Sequence, residues 1–81
     1  MLIIKNQYAV NLNKIVDFWC EDTPDGFSIK FYSDCYDEDG EQNYVKIVFI
    51  EEEYRDESFK KIIIDYKDGR RVCCLDPCCI G

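Results

Sequence analysis

The sequence predicts an α+β fold, an antiparallel meander of four or five strands with one carboxy-terminal helix in a single small domain. Three observations carry this. Apolar residues alternate with polar ones through residues 27–32 and 44–49, polar turns bearing proline or glycine at 21–26 and 33–42 separate the runs, and from Glu51 the apolar spacing changes from two to three and four. With 81 residues, 47% of them hydrophobic and 33% charged, the chain has the composition of one folded domain and no room for a second.

Leu2, Ile3 and Ile4, then Lys5, Asn6 and Gln7, then Tyr8, Ala9 and Val10 read as two short strands joined by a polar turn. Asn11, Leu12, Asn13 and Lys14 break the pattern, and residues 15–20 are β-branched and aromatic enough for a further strand. Pro24 with Asp25 and Gly26 marks a tight connection to Phe27, Ile29 and Phe31, which share one face of the next strand. A long acidic tip over 33–42 then leads to Val45, Ile47 and Phe49 on a common face.

Arg55, Phe59, Ile62, Ile63 and Tyr66 form the helical stripe, with an acidic start, a basic end and Gly69 placed to stop the helix. A hairpin competes with this reading, because Ile62, Ile63 and Ile64 are β-branched and Asp68-Gly69 precedes a second apolar run at 72–75. The sheet-plus-helix domain is expected over 1–69 and a cysteine-rich tail over 70–81, where Pro77 prevents continued regular structure. Val10, Leu12, Ile15, Phe18, Phe27, Ile29, Phe31, Val45, Ile47, Phe49, Phe59, Ile62, Ile63 and Tyr66 are the expected core.

Charge sets the function classes. Seventeen acidic against ten basic residues give −7, the wrong sign for direct binding of nucleic acid or an anionic membrane. Histidine is absent, which removes the commonest general base and metal ligand, and no catalytic constellation is present, so an enzyme is not expected. No apolar run spans a bilayer and the amino terminus lacks the apolar core of a secretory signal, so a cytoplasmic protein with reduced thiols is expected.

The net charge is +1 over 1–20, −10 over 21–58 and +2 over 59–81, so the acidity is a central feature. Asp34, Tyr36, Asp37, Glu38, Asp39 and Glu41, with Glu52, Glu53 and Asp56 second, are the expected partner-binding residues, since carboxylates mixed with tyrosines suit a basic protein groove. A bland alternative treats the first set as a solvated hairpin tip and the second as a favourable helix entrance. Asp37, Asp39 and Glu41 alternate as calcium ligands can, but they do not fill the twelve-residue EF-hand frame.

Cys73, Cys74, Cys78 and Cys79 place four thiols within seven residues, a composition that suits zinc better than the spacing does, because adjacent strand residues point to opposite faces. A mixed site could draw on Cys20 or Cys35, and disulfides or a free thiol-bearing terminus are the other readings. There is no Cys-x-x-Cys pair and no histidine to activate a thiol.

Residues 8–15, Tyr-Ala-Val-Asn-Leu-Asn-Lys-Ile, and the segment from Glu51-Glu52-Glu53 to Phe59-Lys60-Lys61-Ile62-Ile63 resemble a class of small bacterial and phage proteins. These carry a meander ending in such a helix, a shape similar to a reduced pleckstrin-homology-like domain. The resemblance covers roughly residues 2 to 67, implies binding rather than catalysis and leaves the cysteine tail unexplained. In size and acidity the chain also resembles phage-encoded anti-CRISPR inhibitors. The expected function is therefore a non-enzymatic, cofactor-free inhibitor that docks on the basic, nucleic-acid-binding surface of a host defence protein. The alternative is a metal-binding or redox module built on the four tail cysteines, and a third reading is a homo-oligomer formed through an exposed strand edge.

Overall fold

In the computed structural model, which describes residues 1–5 and 8–75, the first strand β1 (Leu2–Lys5) pairs antiparallel with β2 (Tyr8–Asn11), setting Ile3 opposite Val10. Both side chains are buried, as one-sided alternation requires. The Asn11 side chain then accepts a hydrogen bond from the Asn13 amide at 3.1 Å and starts a short 3-10 turn, Leu12–Lys14, that tucks Leu12 into the core.

Strands β3 (Ile15–Thr23), β4 (Gly26–Tyr36) and β5 (Gln42–Phe49) form an antiparallel meander. Register fixes its two faces, because directly paired residues lie on the same side of a sheet. Phe18, Phe31 and Val45 align on the inner face, as do Cys20, Ile29 and Ile47, and Asp22, Phe27 and Phe49. Asp17, Tyr32 and Tyr44 align on the outer face, followed by Trp19, Lys30 and Lys46 and then Glu21, Ser28 and Val48. Gly26 opens β4 at φ +140°, and a Cβ there would lie 2.9 Å from the Phe49 carbonyl oxygen, so only glycine fits without a backbone shift.

Helix α1 (Glu52–Lys67) ends as the sequence predicts. Gly69 sits at φ +73°, its amide donates to the Tyr66 carbonyl and that of Arg70 to the Asp65 carbonyl, the paired bonds of a Schellman terminus. The chain then enters β6 (Val72–Cys74), which runs parallel to β1 with Cys73 beside Ile3. The hairpin alternative is thereby overturned, since Ile62, Ile63 and Ile64 lie inside the helix and the later run pairs with β1.

The α+β class, the meander and the single helix agree with the sequence reading, but the strands divide into two three-stranded sheets, β2-β1-β6 and β3-β4-β5. One core joins them: Ile3, Val10 and Cys73 from the first, Ile29, Phe31, Ile47 and Phe49 from the second, Ile62 from the helix, and Leu12 and Leu75. Residues 72–75, expected in the tail, thus contribute two core side chains.

Four expected core residues lie outside it: Phe27 and Ile63 are half-buried, and Tyr66 and Val45 are exposed. Tyr66 is 63% exposed, because the buried stripe of α1 runs through Arg55, Ser58, Ile62 and Asp65, and Tyr66 falls about 100° around the helix from Asp65. Val45 is 50% exposed at the hairpin-tip end of the edge strand β5.

Candidate functional site

The β4–β5 hairpin gathers the first set of expected binding residues. Past the Tyr32–Tyr44 pair the register shifts, and the strands rejoin at Tyr36 and Gln42 before the tip at 37–41. Asp37 organises this tip: its Oδ1 accepts from the amides of Asp39 at 3.0 Å and Glu41 at 2.9 Å, while its own amide donates to the Glu41 carbonyl and its carbonyl accepts from Gly40. Such an Asx arrangement satisfies amides that the turn would otherwise leave unpaired. Asp37 is therefore built into the loop, whereas Glu38, Asp39 and Glu41 are exposed with carboxylates free of ion pairs. Asp34 and Tyr36 are also exposed, and Asp34 accepts a weak 3.7 Å hydrogen bond from the Cys35 thiol.

Among the described residues, every side-chain ion pair lies elsewhere. Lys30 pairs with Glu21, Lys46 with Asp25 at 3.3 Å, Arg55 with Asp22 at 2.7 Å, and Lys61 and Arg70 with Asp65 at 2.9 and 3.6 Å. The fold spends its cations away from the tip and leaves Asp34, Asp37, Glu38, Asp39 and Glu41 as an uncompensated negative cluster.

Glu52, Glu53 and Asp56 do not join that cluster. They follow the far end of β5, whose eight residues separate the two groups by about 27 Å of strand at ~3.4 Å per residue. Their setting is that of a helix entrance, where Glu52 and Glu53 complement the positive end of the dipole. Glu52 and Asp56 also flank the guanidinium of Arg55 at 3.7 and 3.0 Å. The hydrogen bond to Asp22, opposed by burial and seconded by Asp56, raises the Arg55 pKa above the ordinary arginine value.

The outer face of the meander holds a feature the sequence reading did not assemble. Trp19 stacks on Tyr32 with ring centroids 4.6 Å apart, and Tyr32 meets Tyr44 at 5.3 Å, so one aromatic row crosses all three strands next to the acidic tip. Trp19 is 42% and Tyr44 51% exposed. Each lies at a polar-face position of its own strand, and only the cross-strand register brings the three together.

The tail cysteines divide. Cys73 is fully buried and hydrogen-bonded to the Asp65 carboxylate, Cys74 is disulfide-bonded, and Cys78 and Cys79 lie outside the described residues. Burial first, then the Asp65 hydrogen bond and charge, push the Cys73 thiol from 9.0 to about 12. A thiol held protonated in this way is a poor ligand, since zinc binds the thiolate. Among the described residues no group of three His, Cys, Asp or Glu side chains could hold a metal ion. Cys20 is half-buried and Cys35 exposed, both free.

The same contact has a pH consequence. The protonated Cys73 thiol is favoured in the folded state, so its stabilising effect is complete below about pH 9 and is lost as pH climbs toward 12. Asp65 acts with the opposite sign: burial raises its pKa, but hydrogen bonds from Lys61 and Cys73 and the charges of Lys61 and Arg70 outweigh that and lower it. Its contribution is present above the ordinary aspartate range and lost as pH falls through the lowered value. Thermal midpoints measured from pH 8 to 11 should fall less steeply for Cys73→Ala than for the unmodified chain, and parallel curves would exclude this role.

Among the described residues no helix is long and apolar enough to cross a membrane. No family model, curated protein or solved structure matches the chain, so the chemistry of the site is read from its own residues.

Proposed function

We propose that this is a small non-enzymatic binding protein that docks through its acidic hairpin tip on a basic surface of another protein, as an inhibitor carried by a phage or mobile element would occupy a channel meant for phosphates. The observation that carries it is the uneven pairing of charge. Glu21, Asp22, Asp25 and Asp65 each meet a cation within the chain, while five exposed, unpaired carboxylates are gathered on the one hairpin tip; Glu53 and Glu57 are unpaired as well, but they stand apart at the helix entrance. Like charges held together on a hairpin repel one another, and a cationic partner relieves that repulsion on contact. Tyr36, exposed at the base of the tip, adds the amphipathic contact surface that protein interfaces favour.

The test must separate a local patch from the general attraction of a −7 chain. Binding of a short arginine-rich peptide, followed by fluorescence anisotropy, should weaken with salt as screening sets in. Replacing Glu38 and Asp39 by lysine should weaken it by about tenfold or more, whereas the same charge change at Glu53 and Glu57 should have little effect. Asp37 is left intact because its loss would disturb the loop itself. Equal weakening by both double variants would show that net charge alone is being read, and the proposal would fall.

A further inference from the structure

Stacked rings across neighbouring strands strengthen a sheet whatever else they do. What sets the Trp19–Tyr32–Tyr44 row apart is the combination of exposure with the charges around it. Of the charged groups on the same face, Lys30 is paired with Glu21 and Lys46 with Asp25, leaving the carboxylate of Asp17, directly opposite Tyr32, without a cation. The unpaired tip carboxylates begin just beyond Tyr44. An aromatic surface bordered by unneutralised carboxylates selects a cation.

The molecule already shows how a cation lodges here. The Lys30 ammonium lies 4.8 Å from the centre of the Tyr44 ring while it pairs with Glu21, so ring and carboxylate hold one positive group between them. The Glu21 hydrogen bond, ahead of the opposing effect of burial, raises the Lys30 pKa above the ordinary lysine value. Trp19 sits at the other end of the row, on the edge strand β3, with Tyr32 as its one ring partner among the described residues.

We infer that the Trp19–Tyr32–Tyr44 row is the arginine-reading part of the docking surface, on which guanidinium groups of a partner protein stack while Asp17 and the tip carboxylates accept their hydrogen bonds. This rests on the proposed basic partner and specifies its side chain. Guanidinium is planar, weakly hydrated and able to stack on a ring and bridge carboxylates at once, whereas ammonium is a compact, strongly hydrated point charge. Single-stranded nucleic acid also stacks on such rows, but its phosphates would meet Asp17 and the tip with no free lysine on the face to offset them. A second copy of this chain would bring two −7 molecules together at their most acidic ends.

Trp19 is the single tryptophan, so its emission reports on the row directly. The unmodified protein is titrated with an arginine-rich peptide, with the peptide of the same length in which every arginine is lysine, and with a single-stranded oligonucleotide. The arginine peptide should bind about tenfold more tightly than its lysine counterpart and change Trp19 emission saturably. Tyr44→Thr, an exposed position where threonine suits a strand, should erase the preference while leaving salt-sensitive binding of both peptides. Equal affinities with silent Trp19 emission would overturn the arginine row and leave the acidic tip standing. Binding of neither peptide would overturn both, and an emission change with the oligonucleotide alone would overturn the inference in favour of nucleic acid.

Discussion

Ending the chain at Arg71 should abolish cooperative unfolding, although it removes only the segment that composition marks as a tail. Residues 72–75 supply two fully or nearly buried side chains, Cys73 and Leu75, and cover the edge of β1 by strand pairing and by the Leu75 amide, which donates to the Ile4 carbonyl at 2.8 Å. Asp65 would lose the Cys73 thiol, and the Tyr54 hydroxyl would lose the Leu75 carbonyl on which it donates. Losing one buried leucine typically costs about 2–5 kcal/mol. A domain of this length has roughly 4–12 kcal/mol in all, so the loss of Leu75, Cys73 and an entire strand pairing consumes most or all of it. Circular dichroism melts should show a broad, sloping transition for the shortened chain. A sharp transition at an unchanged midpoint would mean that β6 is peripheral. Tests of the thiols consequently belong to point substitutions, because deletion of the tail disturbs the core.

The meander was legible because its strands obey local rules. Phe27, Ile29 and Phe31 alternate, Pro24 and Asp25 make the tight turn before Gly26, and Gly69 supplies the positive φ that closes the helix. Strand β6 was not, because three residues carry too short a pattern and their partner, β1, lies some seventy positions earlier in the chain. Parallel pairing leaves no turn signature between partners. The helix stripe was half legible: Arg55 and Ile62 were placed correctly, but Ser58 and Asp65 are polar, and Asp65 is held in part by groups outside the helix, Arg70 and the Cys73 thiol, besides Lys61 one turn earlier. The acidic tip could be read from composition alone. Its isolation from the helix entrance could not, since that depends on β5 running between them, and the aromatic row required the register of three strands.

Replacing Arg55 should produce the largest loss of stability of any charged-residue exchange in the first turns of α1, and the choice of replacement should show why. The side chain is only 7% exposed, with its guanidinium on Asp22, Asp56 and Glu52 and 5.5 Å from the centre of the Phe27 ring, so it fastens the first turns of α1 to β3 and β4. Alanine removes both the charge and the aliphatic stem that covers Phe27, leaves three carboxylates facing one another, and is expected to cost about 2–4 kcal/mol. Those carboxylates are exposed by 48% at Asp56 to 74% at Asp22, so they rehydrate rather than remaining as stranded buried charges, which keeps the cost below that of breaking a fully buried pair. Methionine restores the stem without the charge. It should recover about half of the loss at low salt, and more as added salt screens the mutual repulsion of Asp22, Glu52 and Asp56. Urea denaturation of the three proteins at two salt concentrations measures both parts. If methionine proves no better than alanine, the tether is electrostatic alone; if both melt with the parent, Arg55 does not hold the helix. In the expected result the same side chain works by apolar contact at one end and by charge at the other, which explains how a stripe of three polar residues and one isoleucine can dock a helix on a sheet.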